Sequence, residues 1–94
     1  MKYEIMFIVR PNLEEGELNT IVKNFEEVLT KNGAKIELTK EMGQRELAYE
    51  INKFKNGYYF FCVVEANAEA VEEFDRVAKI NESIIRHLVV RVED

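Results

Sequence analysis

The run Tyr58-Tyr59-Phe60-Phe61-Cys62-Val63-Val64 is apolar at odd and even positions alike. An extended strand turns successive side chains to opposite sides, so this segment is hydrophobic on both faces and belongs in the middle of a sheet. The remaining chain must supply strands on either side and a layer that covers at least one face. With 94 residues, 47% of them hydrophobic, the chain holds one domain over residues 1–94 with a single core.

The flanking segments provide those parts. Lys2 to Arg10 is β-branched and aromatic, ends at Pro11, and puts Tyr3, Ile5, Phe7 and Val9 on one face. Residues 14–31 open with Glu14, Glu15 and Glu17, suited to the positive end of a helix dipole. Leu18, Ile21, Val22, Phe25, Val28 and Leu29 follow helical spacing, and Asn32-Gly33 ends the helix. Residues 35–52 alternate as extended chain interrupted by Gly43, which predicts a bulge or a close backbone approach. The stretch Asn52 to Gly57 has the composition of a hairpin turn. Asn67 suits an N-cap for a second helix to residue 81, with Ala70, Val71, Phe74, Val77 and Ala78 as its buried stripe. Ile84 to Val92 is a last strand.

The order β-α-β-β-α-β predicts an α+β, ferredoxin-like split β-α-β fold: a four-stranded antiparallel sheet with two helices packed on one face. The other face is left bare. If Phe60, Cys62 and Val64 point to the helices, then Tyr59, Phe61, Val63 and Glu65 point outward. The first strand adds Met6 and Ile8, flanked by Lys2, Glu4 and Arg10. The last adds Arg86, Leu88 and Val90, with Ile85, His87 and Val89 inward. So many outward apolar side chains predict a docking face for a second copy, another protein or stacked bases.

Residues able to carry catalysis are few. One cysteine and one histidine exclude a disulfide framework and a Cys/His zinc cluster. Cys62 alternates into the core, and His87 has no evident partner along the chain. Glu14-Glu15, Glu26-Glu27 and Glu72-Glu73 read as solvated helix faces, and no glycine-rich phosphate loop is present. No catalytic residue, metal, cofactor or small-molecule substrate is expected. No segment has the roughly 20 continuous apolar residues of a membrane span, and the start lacks a leader pattern, which points to the cytoplasm. Lys55 to Val63 invites comparison with the aromatic box of an RNA-recognition motif, but the glycine and aromatic spacing differs.

One segment is more specific. Gly43-Gln44-Arg45-Glu46-Leu47-Ala48-Tyr49-Glu50-Ile51-Asn52 closely resembles the signature of the bacterial small-subunit ribosomal protein S6 family. That signature reads glycine, any residue, a basic residue, a polar one, Leu-Ala-Tyr, any residue, Ile, a polar residue. Tyr3-Glu4, Arg10-Pro11-Asn12-Leu13, Asn32-Gly33-Ala34, Gly57-Tyr58, Ala78-Lys79-Ile80 and Ile84 through Arg91 are similar to the family as well.

The resemblance implies a non-enzymatic structural constituent of the small ribosomal subunit, in the cytoplasm. It also implies binding of small-subunit ribosomal RNA in the central domain, as a heterodimer with the basic ribosomal protein S18. The isolated chain would then be a monomer. Within the matched positions, Arg45 suits phosphate oxygens, Arg86 suits either RNA or a partner, and Lys2 and Lys79 would flank the same edge. Met6, Ile8, Tyr59, Phe61, Leu88 and Val90 would form the partner face. Tyr49 suits packing and stacking equally. Some relatives carry an acidic C-terminal tail that receives added glutamates; the corresponding end here is Val92-Glu93-Asp94. Two rival readings are a self-associating regulatory ligand-binding domain of the same fold, and an acylphosphatase-like hydrolase using Arg10 and Asn12.

The formal net charge of −5 argues against RNA at first sight. However, the helical segments 14–31 and 68–81 hold nine acidic and four basic residues, and the rest of the chain balances to zero. The excess negative charge is therefore expected on the helical side, away from the sheet face.

Overall fold

The computed structural model describes residues 1–92; Glu93 and Asp94, the acidic end noted above, lie outside the described residues. The elements are β1 (Lys2–Val9), α1 (Glu17–Lys31), β2 (Lys35–Ile51), β3 (Phe54–Glu65), α2 (Ala68–Ile80) and β4 (Ile84–Val92). The sheet is antiparallel throughout with order β2-β3-β1-β4, so the doubly apolar Tyr58–Val64 run is central. This is the ferredoxin-like split β-α-β arrangement.

Strand parity decides what is buried. Ile5, Phe7 and Val9 of β1 join Phe60, Cys62 and Val64 of β3 in one core with Ile21, Val22, Phe25 and Leu29 of α1 and Ala70, Phe74 and Ala78 of α2. Phe7 lies at its centre, with ring centroids 5.1 Å from Phe25, 5.3 Å from Phe60 and 6.0 Å from Phe74. Leu18, Val71 and Val77 pack around it at partial burial.

Several boundaries differ from the sequence expectation. α1 begins at Glu17 because Gly16 occupies the N-cap, and Glu14 N donates to Glu17 Oε2 at 3.1 Å. Glu14 and Glu15 therefore sit in the preceding loop. β1 stops at Val9, and Arg10 N donates to the Ser83 carbonyl at 2.8 Å. The hairpin turn is only Asn52-Lys53, both at positive φ (49° and 69°), as a two-residue type I′ turn requires. β3 consequently starts at Phe54 and contains Gly57. Asn67 does hold the N-cap of α2, with no side-chain cap bond.

Irregularities shape the sheet. Gly43, at φ 78°, lies at a register shift between β2 and β3, the expected bulge. In the β1–β4 ladder a shift between Ile8 and Val9 leaves Ile85 as an extra residue on β4. Strand alternation predicts an inward Ile85. Instead its Cδ1 lies 3.4 Å from where a Gly57 Cβ would project, on the outward side beside Ile8 Cγ2. Gly57 is needed for that approach: an added Cβ would meet Ile8 Cγ2 at 2.6 Å and the Val9 carbonyl oxygen at 2.9 Å.

Two stability outcomes follow from these positions, both measured by urea denaturation. Gly57→Ala lowers stability by about 1–3 kcal/mol, because the backbone oxygen of Val9 cannot move aside as a side chain could. Lys53→Gly raises it by about 1 kcal/mol, by releasing a side chain from the left-handed region.

Candidate functional site

The outward face of β3, β1 and β4 is built in cross-strand rows. Phe61, Met6 and Leu88 lie opposite one another, as do Val63, Glu4 and Val90, and then Tyr59, Ile8 and Arg86. Glu4, Met6, Phe61, Leu88 and Val90 line a shallow, open, mostly apolar depression. Leu88 and Val90 are 46% and 44% exposed, while Met6, Tyr59, Phe61 and Val63 are half-buried. Ile8 departs from the expectation of an open position, being only 3% exposed. With Gly57 lacking a side chain and Ile85 bulged alongside, Ile8 fills the end of the face as structure.

The four basic candidates take up different places. Lys2 Nζ lies 3.4 Å from Glu37 Oε1. Arg45, opposite Gly57 and exposed, donates from Nε to the Met42 carbonyl at 3.1 Å. Arg86 donates from Nη1 to the Tyr49 hydroxyl at 2.7 Å. Lys79 is on α2, with Nζ 2.9 Å from Asp75 Oδ2. The expectation that Lys2 and Lys79 flank one edge is not met. Lys2 opens β1 on the outward face, whereas Lys79 belongs to the last turn of a helix packed on the other face.

The Arg86–Tyr49 bond joins strands at opposite edges of the sheet. It forms because the β2–β3 hairpin outruns β1: β1 and β3 pair no further than Val9 with Tyr58, while β2 and β3 pair on to Ile51 with Phe54. Between Glu46 and Ile51, β2 takes five residue steps against two on β3. Such excess length bends a strand and increases its twist, and this bend carries Tyr49 to β4. No sequence pattern announces that contact.

The electrostatic contrast among these cations is informative. Among the described residues, Lys2, Arg10, Arg76 and Lys79 pair with Glu37, Glu17, Glu73 and Asp75 respectively. Arg45 and Arg86 are held by neutral acceptors, a carbonyl and a phenol. An arginine oriented in this way keeps its full charge and most of its donors for an anion.

Other candidates are absorbed by the fold. His87, without a partner along the sequence, has one in space: Nε2 is 2.7 Å from Asp75 Oδ1, and its ring meets Phe74 edge-on at 6.1 Å. The Asp75 carboxyl is held below the ordinary range, first by its bond from Lys79 and then by that with His87. Burial, with some help from the Glu26 charge, pushes the Cys62 thiol up to about 11, which leaves it unreactive. Arg10 donates from Nη1 to the Asn12 carbonyl and contacts Glu17, with Glu14 and Glu15 in the same loop. Those carboxylates oppose the phosphate cradle that the hydrolase reading requires.

Comparison with known proteins agrees with the fold. The family described as Ribosomal protein S6 matches residues 2–91. Among solved structures, the crystal structure of 30S ribosomal protein S6 from Thermotoga maritima superposes with a TM-score of 0.92 at 30% sequence identity. The alignment covers 97% of this chain and 86% of that one.

The Asp75 network carries a pH signature. A carboxyl held low in the folded state adds stability that is fully present above its unfolded value, and loses it as pH falls through the folded value. Thermal midpoints should therefore decline on acidification below about pH 4. Asp75→Asn should flatten that part of the decline while lowering the midpoint at neutral pH.

Proposed function

The chain belongs to the ribosomal protein S6 family, structural ribosome components rather than enzymes, and from that premise we propose that it is built into the small ribosomal subunit in the cytoplasm. There it binds small-subunit ribosomal RNA of the central domain as a heterodimer with ribosomal protein S18, and it is a monomer when isolated.

The observation that carries this reading is the partition of charge. Arg45 and Arg86 stand without carboxylate partners among the described residues, while the surplus acids lie on α1, α2 and the loop before α1. A protein of net charge −5 gains little from phosphate contacts by itself, since RNA affinity rests largely on counterion release by cations. A basic partner would supply the missing charge. The depression of Glu4, Met6, Phe61, Leu88 and Val90 offers that partner an apolar seat with one carboxylate at its rim. Arg45 and Arg86 then contact phosphate, and Lys2 stands at the far end of the same face.

Filter binding to a central-domain RNA fragment tests the proposal. The isolated chain should bind weakly, and addition of S18 should create tight, salt-sensitive binding. Arg45→Gln and Arg86→Gln should each lower the dependence of log affinity on log salt by about one. Leu88→Glu should block assembly with S18 in sedimentation while leaving the far-ultraviolet spectrum unchanged. Tight RNA binding by the isolated chain at moderate salt would overturn the partner-dependent reading, and a stable homodimer in light scattering would favour self-association instead.

A further inference from the structure

Tyr49 is 61% exposed although its hydroxyl accepts a 2.7 Å hydrogen bond from Arg86 Nη1. A tyrosine that serves packing is buried, and one that serves hydrogen bonding to a partner keeps its hydroxyl free. Here the polar end is engaged within the molecule, so what the residue offers outward is the aromatic ring. Beside it, Arg86 retains its remaining donors and has no carboxylate partner among the described residues. The pair thus presents a flat apolar surface and a cation held together at fixed geometry. That combination matches the two chemically distinct ends of one nucleotide, a base with a π-face and a phosphate.

A base inside a duplex has its faces covered by its neighbours and cannot use such a surface. We infer that Tyr49 and Arg86 form a composite site for a single unpaired nucleotide of RNA, whose base stacks on the Tyr49 ring while its phosphate is held by the Arg86 guanidinium. The inference rests on the RNA-binding reading above and adds to it the class of nucleotide recognised. Within this site the Tyr49 hydroxyl is a positioning group: it orients Arg86 and thereby sets the distance between phosphate and ring. The bend in β2 between Glu46 and Ile51 is what brings the two residues within reach.

The test uses the full chain with S18 and a central-domain RNA fragment carrying 5-iodouridine at its unpaired positions. Irradiation should cross-link the peptide that contains Tyr49. Tyr49→Leu should abolish that cross-link and weaken binding roughly fivefold to 150-fold, the range for loss of one base–aromatic stack. Tyr49→Phe keeps the ring and should retain the cross-link with only a few-fold loss of affinity. Arg86→Gln should weaken binding and lower the salt dependence.

If Tyr49→Leu binds RNA within twofold of the native chain while Arg86→Gln still weakens it, the composite site is wrong and the RNA-binding reading survives. If Tyr49→Leu weakens binding to S18 with no RNA present, Tyr49 belongs to a protein interface and the inference is overturned. If the native complex fails to bind the RNA at all, the broader reading fails with it.

Discussion

Phe7 is the point on which the architecture depends. Its ring touches Phe60 of the neighbouring strand, Phe25 of the first helix and Phe74 of the second, and Phe25 and Phe74 meet edge-on at 5.4 Å. Every layer of the fold is therefore tied through one aromatic cluster, each pair worth about 0.5–1.5 kcal/mol beyond simple burial. Because side chains alternate along a strand, holding Phe7 toward the helices turns Met6 and Ile8 the other way. The cluster thus commits both helices to one side and leaves the opposite face of the sheet without a covering helix among the described residues.

That one-sidedness also sorts the charge of an acidic protein. The helices carry the excess of carboxylates, and several of these are engaged locally, as in Arg76 with Glu73 and the Lys79–Asp75–His87 network. On the sheet side Lys2 is paired with Glu37, but two arginines are held otherwise. Arg45 leans on a main-chain carbonyl and Arg86 on a phenol, contacts that hold an arginine in place without neutralising it. The apolar depression between β1, β3 and β4 lies on the same side.

Much of this was legible from residues alone, and the failures share a cause. Helical spacing in α1 and α2, the central position of the Tyr58–Val64 run and the inward set Ile5, Phe7, Phe60, Cys62 and Val64 all follow from local periodicity and were met. The first turn of α1, the length of the hairpin turn and the orientation of Ile85 were not. Gly16, Gly43 and Gly57 look alike in sequence, yet one caps a helix, one sits in a bulge and one makes room for Ile8. Which task a glycine performs depends on what approaches it from elsewhere.

The amino-acid sequence by itself determined the order of elements, the identity of the core and the side on which charge accumulates, because each depends on spacing between near neighbours. It also carried the family motif around Arg45 and Tyr49. Only the tertiary structure decided that Tyr49 reaches Arg86 across the width of the sheet, that His87 finds Asp75, that Lys79 faces away from Lys2 and that Ile8 is covered. Those facts arise from register shifts, from the bend of a strand longer than its partner and from packing between distant segments. Such geometry accumulates over the whole fold and leaves no mark in any short stretch of sequence.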